Sequence, residues 1–497
     1  MKKVTLQYDL RPALPNVYGT LDYRTFRDTL VKMDEILTKS GLEQDICSEA
    51  LARQITEEQI DPKLFYSTHQ SSLRYKKIRH ALRCNIARHL TGESYRSFSI
   101  RLADSTLFQW FTDIHAFGSC KAISKSSLER YEKYFEEGFI ADRIRKWLSG
   151  FSDEKKAVDV GLKQPVDFKK TLMDSTCIKA NIHFPVDWLL LRDAARSLLS
   201  AIKTIRAQGL KHRMIDPALL LKNMNKLCIS MTHTRRKKDS KQKRKAVLRS
   251  MKKLSKVISK HAARYRQLLQ DSWGKAAWTH AQAHCVLQRI DNVLEQLPQA
   301  IRQAHDRIIG ERVVRSSDKI LSLYDKDVQV IVRGKAGSEV EFGQSLLLTE
   351  QSDGLIVDWD LSTGQTRSDC RLLKPTIERI EKYYGPVDST CCDRAFNSPA
   401  NDIFLKSKNI YNAVCPKSPK QLQEKLQDPI FLSHQTRRSQ TEGRIGIFKN
   451  VFLGKPLRSR ITECKRHAIN WCVLSHNLWV LSRKALSDEA SLLEAAA

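Results

Sequence analysis

Three acidic residues lie where their carboxylates could bind metal ions together. Asp174 lies in an extended stretch, Asp393 follows a short apolar strand, and Glu442 lies on a later helix. Neighbouring strand ends of a parallel or mixed sheet lie close together, and the crevices there bind ligands. Carboxylates that meet on such a surface repel one another unless cations separate them, and Mg²⁺ prefers oxygen ligands. We therefore predict a site for two Mg²⁺ ions, replaceable by Mn²⁺, that acts on a phosphodiester.

The predicted helix around Glu442 also carries two cations on the same face. Arg438 precedes Glu442 by four residues, and Lys449 follows it by seven. At about 3.6 residues per turn, the three side chains fall within about 40° of one face. Glu442 can then reach a metal ion while Arg438 and Lys449 hold DNA phosphates on either side. The alternative is a surface helix with a weak pair between Arg438 and Glu442.

Each of the two aspartates also has a structural alternative. Asp174 could cap a turn or a helix, and Asp393 could form a surface ion pair with Arg394. Each signal is weak alone. Their order along the predicted strands and helices strengthens the joint interpretation.

The order of the predicted elements indicates an α/β chain. A strand around Asp174 is followed by a long helical pattern from Trp188 to about Ile309. Later strands and helices are predicted at Val328–Val332, Val340–Leu348, Leu355–Leu361, Leu373–Tyr384 (helix), Val387–Cys392, Ser398–Lys408 (helix) and Ile410–Cys415. This order predicts a ribonuclease-H-like mixed sheet interrupted by a large helical insertion and preceded by an all-helical region.

The helical N-terminal region contains a segment that resembles a helix-turn-helix. A short helix is predicted at Ser94–Phe98, a turn at Phe117–Ser119, and a second helix after them. Ser126 and Glu129 have the spacing of a capping box, which predicts a helix start nearby. We predict that Lys125 and Arg130 contact DNA there. An ordinary helical hairpin is the alternative.

The helical insertion has a dense run of cations. Lys237, Lys238, Lys243 and Lys245 belong to it, and apolar residues recur among the charges at Val247, Met251, Leu254 and Ile258. That spacing predicts a folded basic helix, and we predict that the four lysines grip DNA phosphates. A solvated face without a partner is the alternative.

The composition favours a polyanionic partner. The 497 residues include 85 Lys and Arg against 55 Asp and Glu, a net charge of +30. Such a charge attracts nucleic acid. The apolar stretch Trp471–Leu481 is too short and too polar to cross a bilayer, and the first residues lack the apolar segment of a signal peptide. The 12 cysteines form no C-x-x-C pair, which argues against zinc and favours reduced thiols in a cytoplasm.

These patterns divide the chain into five predicted regions. They are an N-terminal DNA-binding region at 1–150, the first part of a catalytic core at 166–187, a basic helical insertion at 188–310, the second part of the core at 311–460, and C-terminal helices at 461–497.

Four blocks of the sequence resemble the DDE transposases of bacterial insertion sequences. The most specific is Arg438-x3-Glu442-x6-Lys449, which matches the signature of that family. The other blocks are Met173–Thr176 with Ile182–Asp187, Gly334-Lys335 with Val340–Gly343, and Cys392–Ser398. The resemblance covers most of the chain and is thin across about 195–310. Gln435 stands where the family often has tyrosine, and Ala395 where it commonly has glycine.

The resemblance implies a function and its partners. Asp174, Asp393 and Glu442 would bind the metal ions, with Arg438 and Lys449 as the signature cations. The reaction would be cleavage at transposon ends and then attack of the freed 3′-hydroxyl on target DNA. The partner would be double-stranded DNA bridged by a homodimer, in a bacterial cytoplasm near the nucleoid. Two alternatives stay open, a ribonuclease-H-like nuclease without strand transfer and a catalytically idle DNA-binding descendant.

Overall fold

The computed structural model describes residues 13–14, 19–58, 69–114, 122–234, 239–335, 338–364, 367–454, 457, 459 and 461–496. The chain forms two compact units. Unit 1 comprises the described residues of 1–178, 345–362 and 366–497, and unit 2 those of 179–344 and 363–365. The described residues are mostly helical with one mixed sheet, so the predicted α/β class is confirmed at this level.

The N-terminal part of unit 1 is helical, as predicted. Its helices are α1 Leu21–Lys39, α2 Leu42–Glu57, α3 His69–Thr91, α4 Tyr95–Asp104, α5 Thr106–Thr112, α6 Lys125–Glu132, α7 Glu137–Ser149 and α8 Glu154–Asp159. Several of their apolar faces, together with the sheet and the last helix, line one hydrophobic core. Arg83 is fully buried among these helices, where it pairs with Asp34 and Glu43.

The predicted capping box at the start of α6 is wrong in detail. The cap is Ser124, whose extended backbone lets its hydroxyl accept a hydrogen bond from the Ser127 N–H at 3.2 Å. Ser126 already lies inside the helix, so it cannot fill that role. The predicted turn Phe117–Ser119 lies outside the described residues.

Unit 2 is built mainly from four long helices, which confirms the helical pattern predicted there. They are α9 Asp187–Ala207, α10 Pro217–His233, α11 Ser240–Ser272 and α12 His280–Ile308. From Ser240 onward the basic segment forms a folded helix, as predicted, because Met251 and Ile258 of α11 are fully buried against the other helices. The buried Tyr265 hydroxyl also donates to the carbonyl of His212 at 2.8 Å.

The sheet comprises the described strands β1 Lys170–Lys179, β2 Gln329–Lys335, β3 Ser338–Gln351, β4 Ile356–Leu361, β5 Ser389–Cys392 and β6 Tyr411–Asn412. β3 lies beside β1, β1 pairs in parallel with β5, and β5 pairs in parallel with β6. β4 pairs antiparallel with the second half of β3 in unit 1, and β2 with its first half in unit 2. β6 is shorter than predicted, but N–H groups of Ala413 and Cys415 continue its hydrogen bonds to β5.

The remaining helices of unit 1 follow the strands. They are α13 Leu373–Tyr384, α14 Pro399–Ser407, α15 Pro419–Lys425, α16 Pro429–Ile447 and α17 Thr462–Ala496, and a π-helical turn, Phe448–Phe452, extends α16.

Two asparagines of α17, at the start of and within its apolar stretch, have partners in β4. The Asn477 side chain exchanges two hydrogen bonds with the backbone of Ile356, at 2.9 and 2.8 Å. Asn470 accepts one from the Trp359 indole at 2.7 Å. The stretch is therefore a core helix, and no described helix is long and apolar enough to cross a membrane.

Two glycines bring the α3–α4 turn against the segment after α16. Gly92 and Gly454 both have positive φ, +59° and +73°. A Cβ on Gly92 would lie 2.3 Å from the Val451 carbonyl oxygen, and one on Gly454 would lie 2.5 Å from the Gly92 carbonyl oxygen. Only glycine permits this approach of two backbones.

We expect Gly92→Ala to lower the free energy of unfolding by about 2–5 kcal/mol. The left-handed backbone accounts for about 1–2 kcal/mol of this, and the clash adds the cost of overpacking. Gly364→Ala is the control, because Gly364 also has positive φ but open space around its Cβ position. Urea denaturation measures both variants, and equal losses would show that the backbone contact at Gly92 contributes nothing.

Candidate active site

The pairing of β1 with β5 brings two of the predicted acids together. Met173 is the partner of Cys392 in this parallel register, so Asp174 and Asp393 are the next residues on adjacent chains. Side chains two residues apart share a face of a sheet. Leu172 and Cys391 pack with Phe431 of α16, which indicates that Asp174 and Asp393 lie on the face covered by α16.

The electrostatics of Asp174 reflect this crowding. Burial, and after it the nearby carboxylate of Asp393, raise the pKa of its carboxyl to about 6. The Ser175 N–H, which donates to Asp174 at 2.8 Å, and the charge of Arg438 oppose this rise in pKa, while Glu442 adds to it. Asp393 accepts a hydrogen bond from the Ala395 N–H at 2.8 Å. A half-buried carboxyl beside a second one favours a bound cation.

Glu442 lies on α16 but is directed to another partner. Its carboxylate pairs with Arg438 at 2.9 Å, and 59% of its side chain is exposed. Within the described ranges, no three Asp, Glu, His or Cys side chains are placed to hold a metal ion. Asp174 and Asp393 therefore fit a divalent cation by position and oxygen chemistry, whereas Glu442 does not join them in this arrangement.

Lys449, in the π-helical extension of α16, and Gln435, on α16 itself, both contact the sheet or its end. Lys449 donates to the Thr176 hydroxyl at 3.0 Å, and Thr176 is two residues beyond Asp174 on β1. Gln435, which departs from the family pattern, donates to the Ala413 carbonyl at 2.8 Å. Gln435 thus joins α16 to the end of β6 without a tyrosine.

A buried carboxylate that the sequence analysis missed positions the α16 helix. Glu350 at the end of β3 is 3% exposed and forms ion pairs with Arg437 at 3.2 Å and Arg444 at 2.7 Å. It also accepts a hydrogen bond from the Thr441 hydroxyl at 2.6 Å. These partners flank Glu442 on both sides along α16. In the sequence Glu350 lies just after the predicted strand Val340–Leu348, and a carboxylate at that strand end was the signal.

The turn after Glu350 completes this contact. Gly354 has φ +89°, and a Cβ there would lie 2.1 Å from the Arg444 guanidinium carbon. Arg437 donates to the Ser352 carbonyl at 2.9 Å. A second missed residue is Asp369, which accepts a hydrogen bond from the Ser175 hydroxyl at 3.0 Å beside Asp174.

The predicted DNA-contacting lysines and arginines lie elsewhere. Lys125 and Arg130 are exposed on α6, where Arg130 donates to the Ser127 hydroxyl at 3.2 Å. In unit 2, Lys245 pairs with Glu311 at 2.9 Å and Lys243 with Asp239 at 3.9 Å. Lys237 and Lys238 lie outside the described residues.

No protein-family model matches this chain, and searches of curated proteins and of solved structures also found no match.

We expect Asp174→Asn to stabilise the metal-free protein at pH 7. The folded pKa of about 6 exceeds the ordinary 3.8, so the fold binds the proton more tightly than the unfolded chain does. Stability should therefore fall as the pH rises from about 4 to about 6, by at most about 3 kcal/mol, and this loss should be absent in the variant.

Urea denaturation in EDTA between pH 4 and 7.5 measures this effect. Asp388→Asn is the control, because Asp388 precedes β5 and 60% of its side chain is exposed. Parallel pH profiles for the wild type and Asp174→Asn would contradict the crowding of Asp174.

We expect Glu350→Gln to lower the free energy of unfolding by about 3–5 kcal/mol, because it leaves Arg437 and Arg444 without their counter-charge. The control is Asp353→Asn, which breaks a more exposed pair with Lys484 and should cost less than about 1 kcal/mol. Chemical denaturation of both variants tests this, and similar losses would count against a special role for Glu350.

Proposed function

We propose that this protein is a DDE-type transposase, which cleaves DNA at transposon ends and joins them to target DNA. The observation that carries the proposal is the position of Asp174 and Asp393. Asp174, within β1, and Asp393, directly after β5, lie side by side on these parallel strands, beneath α16 with Arg438 and Glu442 and its π-helical extension with Lys449. Two crowded carboxylates near cations that can hold phosphates suit metal-dependent phosphodiester chemistry.

The connectivity of the sheet supports a ribonuclease-H-like core. In unit 1 the strands lie in the order β4, β3, β1, β5, β6, with β1, β5 and β6 parallel. α13 connects β4 to β5, and α14 connects β5 to β6. Along the chain, the four helices of unit 2 lie between β1 and β2. We infer that they form the insertion into this core.

The proposed chemistry assigns a role to each signature residue. Asp174, Asp393 and Glu442 would hold Mg²⁺, or Mn²⁺ in its place, and the metal would lower the pKa of the attacking hydroxyl and stabilise the leaving oxygen. Arg438 and Lys449 would orient the DNA phosphates. Water first breaks the bond to the 3′-oxygen, and the freed 3′-hydroxyl then attacks a target phosphodiester, whose own 3′-oxygen leaves. Glu442 must release Arg438 to take part.

The proposed partner is double-stranded DNA, bound as transposon ends and as target by a homodimer in the bacterial nucleoid. The net charge of +30 supports such a partner. We assign specific binding to the N-terminal region through Lys125 and Arg130. We assign phosphate contacts to the basic segment that contains Lys243 and Lys245.

One observation favours a catalytically idle descendant as the second candidate. Glu442 pairs with Arg438, and no third ligand joins Asp174 and Asp393 among the described residues. A chain that kept the acids but used them only in surface pairs would have this arrangement. A nuclease without strand transfer shares the same residues and is separated from a transposase by its products.

We expect Asp393→Asn to abolish strand transfer. The assay mixes purified protein and Mg²⁺ with a pre-cleaved element end and a supercoiled plasmid. Loss of a metal ligand should lower product formation by more than about 100-fold, because loss of an outer-shell partner alone costs about 10–100-fold. Asp388→Asn should join DNA normally, as its exposed side chain lies at the other end of β5.

The products separate the three candidates. Joined products that vanish in Asp393→Asn are the expected result. Metal-dependent nicking without joining would favour the nuclease. DNA binding with neither reaction, or joining that survives in Asp393→Asn, would overturn the proposed mechanism.

A further inference from the structure

One exposed face of α11 carries a row of four cations. Arg249, Lys253, Lys256 and Lys260 are all exposed, at intervals of four, three and four residues. At 3.6 residues and 5.4 Å per turn, their side chains fall within about 60° of one another and extend over roughly 16 Å. We call these four residues the α11 cation row.

The described residues supply no ion-pair partner to this row. None of the four forms an ion pair with the residues of 19–58, 69–114, 122–234, 239–335 or the later described ranges. The lysines at the start of α11 differ, because Lys241 and Lys245 both pair with Glu311. The row is therefore one part of α11 whose charges the described residues leave without an ion pair.

Carboxylates are absent from the sequence around the row. No Asp or Glu occurs between Asp239 and Asp271, nor between Asp216 and Asp239. α10, which packs against α11, exposes Lys222 and Lys226 and has no acidic residue. The row and α10 thus carry only positive charges, which attract polyanions, whereas α12, which also packs against α11, carries Asp291, Glu295 and Asp306.

The apolar side of α11 faces the interior of unit 2. Leu248, Met251 and Ile258 are fully buried there. Val257, at 42% exposure, is the large hydrophobic residue that the described part of α11 leaves exposed. A helix that binds a membrane surface needs an outward apolar face, which this one lacks. A straight row of charges on a rigid helix suits a regular polyanion instead.

We propose that the α11 cation row, in unit 2, binds the phosphate backbone of double-stranded DNA. The choice of DNA as the polyanion rests on the proposed function. Over roughly 16 Å a duplex carries about ten phosphate charges, so phosphates can meet all four cations in many registers. Binding at this surface is independent of base sequence.

The test measures how DNA affinity depends on salt. The full-length protein is titrated onto a fluorescent 30-base-pair duplex of arbitrary sequence at several salt concentrations. Replacing the four cations of the row with glutamine should reduce the slope of log affinity against log salt by about 3–4, because each phosphate contact contributes about 0.9. Replacing Lys253, Lys256 and Lys260 with arginine should leave the slope unchanged.

A matched control removes the same charge from other elements of unit 2. It replaces with glutamine four exposed cations that form no ion pair among the described residues, namely Lys203, Lys211, Lys275 and Arg315. The control should retain most of the slope. Equal slopes for the row variant and the wild type, or equal losses in the row variant and the control, would overturn the proposal. Tighter binding of single-stranded or double-stranded RNA would overturn the assignment to duplex DNA.

Two further arms keep the result interpretable. If the four-site variant unfolds, Lys253→Gln with Lys260→Gln should still reduce the slope by about 2. The binding assay uses no cleavage, so its outcome is separate from the strand-transfer assay. If the row variant has a reduced slope but the wild-type protein joins no DNA, DNA binding by the α11 cation row is supported and the transposase proposal is rejected. If the wild-type protein transfers strands but the row variant has an unchanged slope, the transposase proposal is supported and DNA binding by the row is rejected.

Discussion

The parallel register of β1 and β5 is the constraint on which the candidate site depends. It aligns Met173 with Cys392 and so forces Asp174 and Asp393 to emerge side by side. Burial and mutual repulsion raise the pKa of Asp174 to about 6, so ionising it costs more than ionising an ordinary aspartate. The cost of ionising Asp174 arises at one point of the sheet. The surrounding residues of unit 1 determine which positive charges can approach Asp174 and lower that cost.

The buried carboxylate of Glu350 shows the opposite arrangement a few residues away. It has two arginines and a hydroxyl as partners, all from α16, so its charge is neutralised within the protein. This contact fixes the helix that faces Asp174 and Asp393. Glu350, whose charge is paired with two arginines, therefore fixes α16, whereas Asp174 and Asp393 lie beside each other and make the ionisation of Asp174 more costly.

Much of this arrangement could be predicted from the sequence, because it depends on local patterns. Apolar runs and helical spacing located the strands that carry Asp174 and Asp393 and the helices of unit 2. The partners of Glu442 and Glu350 could not be predicted. Whether Glu442 faces Arg438 or the aspartates depends on side-chain rotation, and Glu350 acquires its arginines only through tertiary packing. The helix cap is Ser124 and not the predicted Ser126. Several serines lie close together there, and the sequence alone does not distinguish which of them caps the helix.

The ion pair between Arg438 and Glu442 contributes much less free energy than the ionisation of Asp174 costs. This difference indicates how the site would respond to a cation. An exposed pair four residues apart on a helix, such as Arg438 with Glu442, contributes only about 0.3–0.5 kcal/mol. The rise in the pKa of Asp174 corresponds to about 3 kcal/mol against its ionised form. A divalent cation between the aspartates would remove that larger cost. Rotating Glu442 away from Arg438 would sacrifice only the smaller one and would also leave Arg438 available to a phosphate. The pairing of Glu442 with Arg438 is therefore compatible with a metal-binding role for Glu442.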